Sequence, residues 1–218
     1  ARGERGVPAE QILRDLRISR IFEGSTEIMR LLIARDAVDT HLRVAGGLID
    51  PNADLSAKAK AARRAIGFYG RWLPPLAVGK GHIPSAYGEF GSLAPHLRFV
   101  ERHSGELARS MFYGMSRWRG KLERKQGFLG RVVDIGAELF AMTAACVRAE
   151  MLRADDPEMG EAAYELADAF CQQARLRVDE LSGRLWRNTD DVDRGVAKRV
   201  MQGRYAWLEE GVLDASVQ

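Results

Sequence analysis

Apolar residues in this chain return every three or four positions in one long stretch after another. Nowhere does a segment alternate with period two for long enough to make a strand. That property leaves an all-α fold. Its clearest instance begins at Ser92, where Leu93, Leu97, Val100, Leu107, Met111, Met115, Trp118 and Leu122 step by three, four or seven. The spacing is nearly heptad and predicts a helix of more than about 30 residues, packed lengthwise on a partner. Gly127 is expected to break it. The next helix, Phe128 to about Arg153, is apolar on nearly every side between Leu139 and Val147, which puts it at the centre of a bundle. Pro157 to Leu185 reads as another, with Ala163, Leu166, Phe170, Val178, Leu181 and Leu185 inward. Asn188-Thr189-Asp190 caps a short helix to about Gln202, and Tyr205, Trp207 and Leu208 are expected to pack back as a last turn. Helices joined by mostly short turns make an antiparallel bundle the natural solution.

The first part of the chain follows the same rule. Pro8 suits a first helical turn, and Ala9 to Leu16 reads as a short helix. Ile28, Leu31, Leu32, Val38, Leu42 and Ala45 mark one face of a longer helix, which Gly46-Gly47 should stop. After a turn at Asp50-Pro51-Asn52, Asp54 or Ser56 caps a helix to about Trp72, with Ala59, Ala62, Ile66, Tyr69 and Leu73 on its inner side. Pro74-Pro75 ends it. Ala77 to Gly91 is Gly-, Pro- and Ser-containing and reads as a flexible crossover. Its Gly79-Lys80-Gly81 lacks the spacing and the hydroxyl residue of a phosphate loop.

Composition narrows the function. Among 218 residues, 33 basic and 30 acidic side chains are mixed along the chain for a net charge of +3, which offers no basic face for nucleic acid. Arg117, Arg119, Lys121, Arg124 and Lys125 around Trp118 are interrupted by Glu123 and read as a solvated face. The first residues are charged and hold no apolar run of the kind a secretory leader needs. Leu139 to Val147, the longest near-apolar run, falls far short of the roughly 20 residues of a membrane span. Cys146 and Cys171 lie in apolar helical patterns and read as buried, reduced thiols of a cytoplasmic protein. Asp134 and Glu138, one turn apart, have the spacing of a carboxylate metal site but lack an accompanying Glu-x-x-His. His41 has no partner at ligand spacing. No metal is expected.

One stretch does not reduce to bundle-building. Residues Arg14 to Arg35 read RDLRISRIFEGSTEIMRLLIAR. Glu23 sits between Phe22 and Gly24, where the helical pattern breaks, and Ser25-Thr26-Glu27 then opens the next helix. A hydroxyl before an acidic residue and an apolar run is a capping signal. A carboxylate just ahead of a helix N-terminus is more often a capping or dipole-compensating residue than a catalyst. The whole string shifts that balance, because it closely resembles the C-terminal signature of the acyl-CoA dehydrogenases: the match includes Arg14, Asp15, Arg17, Ile21 and the Ile-Ala-Arg ending at Arg35.

The resemblance implies a flavoprotein that dehydrogenates acyl-CoA thioesters in fatty-acid β-oxidation. Glu23 would be the acceptor of the α-proton, Phe22 and Gly24 would contact the substrate, and Ser25, Thr26 and Glu27 would fall where the family touches FAD. Phe22 stands where Tyr is commoner, as in long-chain members. An electron-transfer flavoprotein would take the electrons, and the protein would be a homo-oligomer. The division it implies is 1–51, the end of the catalytic helical domain, and 52–218, an additional helical-bundle domain of the very-long-chain type. The chain itself would be a C-terminal fragment, inactive alone and unable to hold FAD. A non-catalytic helical dimerisation or interaction domain is the alternative.

Overall fold

The computed structural model describes residues 9–19, 25–50, 52–76 and 78–208, and these are helical without a strand among them. In chain order the helices are α1 (Ala9–Ser19), α2 (Thr26–Ile49), α3 (Leu55–Trp72), α4 (Ala94–Trp118), α5 (Gln126–Asp155), α6 (Pro157–Trp186) and α7 (Asp190–Met201), with short 3₁₀ turns between some of them. The chain divides into two compact units, Ala1–Leu185 and Trp186–Gln218.

The first unit is built round α5. Its buried residues Phe128, Leu129, Val132, Ile135, Leu139, Met142, Cys146 and Ala149 form a continuous stripe stepping by three and four. Against it pack Leu93, Leu97, Phe99 and Met111 from the start and body of α4, Ala34 and Val38 from α2, and Cys171, Ala174 and Val178 from α6. Burying a side chain the size of Phe128, Ile135 or Met142 contributes about 1.5–3 kcal/mol, so this stripe is the main source of the unit's stability. The central helix is nonetheless one-sided: Phe140 is 75% exposed and Val147 40%. Apolar character all round therefore marks a surface here as well as a core. In the same way Leu166 on α6 and Ile66 on α3 point outward, at 72% and 73% exposed. Small residues, Ala167 on α6 and Ala65 on α3, take the buried positions beside them and let the helices approach.

Polar side chains fasten the layers. Arg177 of α6 donates two hydrogen bonds, 2.8 and 2.9 Å, to the carboxylate of Glu138. Arg30 of α2 donates one of 2.7 Å to Asp134. The two carboxylates that share metal-site spacing thus each hold a different helix onto α5. His96, buried on α4, meets Asp168 of α6 at 2.7 Å, and this bond holds the Asp168 carboxyl below its usual range. Cys146 and Cys171 are buried free thiols whose sulfurs stand 3.8 Å apart between α5 and α6.

Three boundaries differ from the sequence pattern. α2 runs through Gly46-Gly47 to Ile49, because a Cβ at Gly47 would lie 3.1 Å from that of Ala61. The glycine here permits a close α2–α3 crossing. α4 ends at Trp118, where Arg119 takes a left-handed φ of 48° and a 3₁₀ turn follows, while Gly127 lies inside α5. The expected long helix is therefore cut short. The crossover from 78 to 93 is not free chain. Arg102 and Arg98 of α4 donate to the carbonyls of Gly81 and Ala86, and Tyr87 donates to Glu101. Asp54 caps α3, its carboxylate accepting from the Ala57 N–H at 2.7 Å. In the second unit, α7 begins after Thr189 and Tyr205 accepts a hydrogen bond from Arg199, but Trp207 and Leu208 remain exposed instead of packing back.

Candidate functional site

The signature lies across α1 and the start of α2. α2 begins at Thr26, with Ser25 in the capping position. The boundary agrees with the pattern, although the Ser25 hydroxyl makes no capping hydrogen bond. The first helical bond joins the Met29 N–H to the Ser25 carbonyl, so the N–H groups of Thr26, Glu27 and Ile28 precede the ladder and face outward from the helix end. Ser25 and Thr26 are half-buried, and Glu27 is exposed. Phe22, Glu23 and Gly24 lie outside the described residues.

What fixes this end of α2 is one turn further on. Arg30 reaches Asp134, and Ala34 and Val38 are buried against the core. These contacts occupy one face. The opposite face carries Ile28, Met29, Leu32 and Ile33, each at least 41% exposed, and α1 displays Ile12, Leu13, Leu16 and Ile18 in the same way. A helix N-terminus with two half-buried hydroxyl residues therefore carries exposed apolar side chains on its outer face. Backbone N–H groups at a helix start favour a negative group or an acceptor oxygen. An apolar surface beside them is suited to excluding water.

Sequence reasoning did not foresee that Asp134 serves this helix through Arg30. The i,i+4 carboxylates signalled only that two charges shared a face. It also left His41 without a named partner. In the structure its Nδ1 lies 3.1 Å from the Tyr69 hydroxyl, and its ring is surrounded by Phe68, Tyr69 and Trp72. Burial lowers the His41 pKa and raises that of Tyr69, so both are held uncharged.

An all-α chain with this signature at the start of a helix fits the acyl-CoA dehydrogenase class, and comparison with known proteins agrees. Residues 3–38 match the family model described as acyl-CoA dehydrogenase, C-terminal domain. The chain belongs to the acyl-CoA dehydrogenase family. Over 99% of its length it is 66% identical to proteins named probable acyl-CoA dehydrogenase FadE10 in Mycobacterium tuberculosis and Mycobacterium bovis. Over 87% of its length it is 27% identical to the very long-chain specific acyl-CoA dehydrogenase, mitochondrial, of Homo sapiens. The chain spans 33% of the length of the mycobacterial proteins and 30% of the human one. No described helix is long and apolar enough to cross a membrane.

Proposed function

We propose that this chain supplies the α-proton acceptor of an FAD-dependent acyl-CoA dehydrogenase, that Glu23 is the acceptor, and that the substrate is a long-chain acyl-CoA. The observation that supports this most is the coincidence of the signature with the start of α2, held in place by Arg30 and Asp134. The α-proton of a thioester is weakly acidic, so a carboxylate must work with a raised pKa in a water-poor site. The uncovered apolar residues of α1 and α2 suit such a site once covered. Phe22 and Gly24 would flank the acyl chain and thioester.

Residues 25–27 fit the cofactor in one respect. The Ser25 hydroxyl is not consumed by capping, and it stands at the positive end of α2, which favours an acceptor group such as those of FAD. When bound, FAD would take the hydride leaving the β-carbon. The chain's own part is to remove the α-proton and keep water away. By this reading residues 1–51 belong to the catalytic helical domain and 52–218 form an added bundle. The 218-residue chain alone is inactive and holds no FAD. The whole protein is a cytoplasmic homo-oligomer that passes electrons to an electron-transfer flavoprotein.

The experiment is Glu23→Gln in the protein taken at the full length of its relatives. Flavin content should be unchanged, while bleaching by a long-chain acyl-CoA should slow by about 10²–10⁴-fold, the usual worth of a positioned base. Glu23→Asp should recover part of the rate. Bleaching at the parental rate in Glu23→Gln would remove Glu23 from the mechanism. The second reading, a helical module that dimerises or binds a partner, rests on the core that α2, α4 and α6 build round α5 within this chain and predicts self-association of the chain without flavin.

A further inference from the structure

α5 and α6 form an antiparallel pair whose register is fixed at three heights. Beside the connecting turn, a Cβ at Gly160 would lie 2.4 Å from the Arg153 Cα, so the missing side chain is what lets the helices meet. Further along, Tyr164 donates to Glu150, and beyond that Arg177 holds Glu138. Between these last two contacts the buried facing residues are mostly small: Ala149 and Cys146 on α5, and Ala167, Cys171 and Ala174 on α6. Cys146 stands nearer the turn than Cys171. Each Cα–Cβ bond tilts toward the N-terminus of its own helix, so Cys146 leans away from the turn and Cys171 leans back toward it. The two side chains converge. Their sulfurs stand 3.8 Å apart, and both residues are 0% exposed.

A thiol pair in this position differs from a lone buried cysteine. A single enclosed thiol is inert, and no second sulfur stands ready to trap an oxidised form. Here the gap to a sulfur–sulfur bond of about 2 Å is ~1.8 Å, an approach that small rotations of two converging side chains provide. The pair is also asymmetric. The Cys171 thiol, which lies 3.8 Å from the Met142 carbonyl as well, donates to the Cys146 sulfur. That bond lowers the pKa of Cys146, while the bond and burial raise that of Cys171. Cys146 is accordingly the attacking sulfur and Cys171 the resolving one.

We propose that Cys146 and Cys171 are a peroxide-sensitive dithiol that closes to an intrachain disulfide and locks α6 onto α5. The Cys146 thiolate attacks hydrogen peroxide: an S–O bond forms, the O–O bond breaks, and the departing hydroxide leaves as water with the Cys146 proton. Cys171 then attacks the sulfenic sulfur. The S–S bond forms, the S–O bond breaks, and the second hydroxide leaves as water with the Cys171 proton. Each sulfur gives up one electron, and the peroxide takes both. The oxidant must be small and uncharged, because sulfurs without exposed surface are reached only through brief local openings that exclude bulky disulfides. Closed across 25 positions of chain, the bond restrains the unfolded state. The device does not depend on the Glu23 reading, since α5 and α6 alone supply it.

The test exposes the folded 218-residue chain, whose only cysteines are these two, to hydrogen peroxide. Thiols are then titrated in denaturant, and peptides are mapped without reduction. Both thiols should disappear together, return with dithiothreitol, and be found in one peptide pair joined through Cys146 and Cys171. The melting temperature should rise by about 5–10 °C. Cys146→Ser and Cys171→Ser, close in volume to the parent, should each abolish the joined pair and the rise. A bulky aromatic disulfide reagent should find neither thiol of the folded chain over the same period. The same joined pair is expected from the protein at the full length of its relatives. Two thiols still titratable after the folded chain has met peroxide would overturn the proposal. So would a disulfide between two chains, loss of thiols that dithiothreitol does not reverse, or an equal rise in melting temperature in either serine variant.

Discussion

The signature helix rests on α5 through the buried Ala34 and Val38 and through the Arg30–Asp134 pair, and that pair is the contact that can be isolated. Its N–O distance is 2.7 Å, and the two side chains are 36% and 31% exposed. At ~4 Å between charge centres the Coulomb energy ranges from ~1 kcal/mol in water to ~4 kcal/mol near a protein surface. Partial exposure and the ordering of a long arginine move the net value toward the lower end, about 0.5–1 kcal/mol. A double-mutant cycle should recover that coupling: Arg30→Met, Asp134→Asn and the double variant, each unfolded in urea at low salt. Because the pair is only half covered, the coupling should shrink when ionic strength rises from about 0.1 M to 1 M and the screening length falls from ~10 to ~3 Å. The bidentate Arg177–Glu138 pair on the other side of α5 is the internal comparison. With two bonds of good length it should couple more strongly, about 1–2 kcal/mol. A coupling indistinguishable from zero for Arg30–Asp134, alongside a measurable one for Arg177–Glu138, would mean that α2 does not rest on α5 as described. The aim of the helix start would then lose its support.

Two further outcomes follow from close packing and burial. Gly160→Ala would set a Cβ 2.4 Å from the Cα of Arg153 at the tight α5–α6 turn, so it should destabilise by about 1–3 kcal/mol. Gly183→Ala, in the same helix with open space around it, should gain about 0.5–1 kcal/mol; equal effects in thermal melts would contradict the turn geometry. His41 has a folded pKa below its ordinary value because it is buried, so the unfolded chain binds the proton more readily. Its contribution is therefore complete above the unfolded value of about 6.5 and is lost as pH falls through the folded one. His41→Phe should flatten the decline in stability between about pH 7 and pH 5, and an undiminished slope would show that another group causes it.

Helical period carried most of the fold into view, and its failures have one origin. Period tells which residues share a face, but not how much of that face a neighbour covers. Phe140, Leu166 and Ile66 each fall in an apolar pattern, yet alanines next to them make the close contacts and the large side chains remain outside. Glycine misled for a related reason. Gly47 and Gly127 read as stops, but tertiary contact can outweigh the ~1 kcal/mol helical penalty of a glycine, and at Gly47 the missing Cβ is what brings α2 and α3 together. The actual break, at Arg119, carries no local signal except the Gly120 that follows it. Pairings such as Arg30–Asp134 and Cys146–Cys171 join residues far apart in sequence, and a single sequence contains no term for them.

The candidate site was legible in a different way, through a string of residue types whose structural reason becomes clear only in part. Residues 12–18 and 25–33 combine a capping residue with no capping bond and large apolar side chains left uncovered on α1 and on the outer face of α2. A sequence selected only to make a stable bundle would place polar residues there, since nothing in the described unit rewards Ile12, Leu16, Ile28 or Leu32 at an exposed position. Their cost in this unit is intelligible if they are the half of a contact whose other half lies in a longer polypeptide, and the chain's span of 33% of its mycobacterial relatives leaves room for it. The contrast with the α5 stripe supports this. There every large buried residue has its partner within the chain, on α2, α4 or α6. Completeness of packing thus separates the part of the molecule that needs only itself from the part that Glu23 adjoins, and the second is where a water-excluding site would have to be assembled.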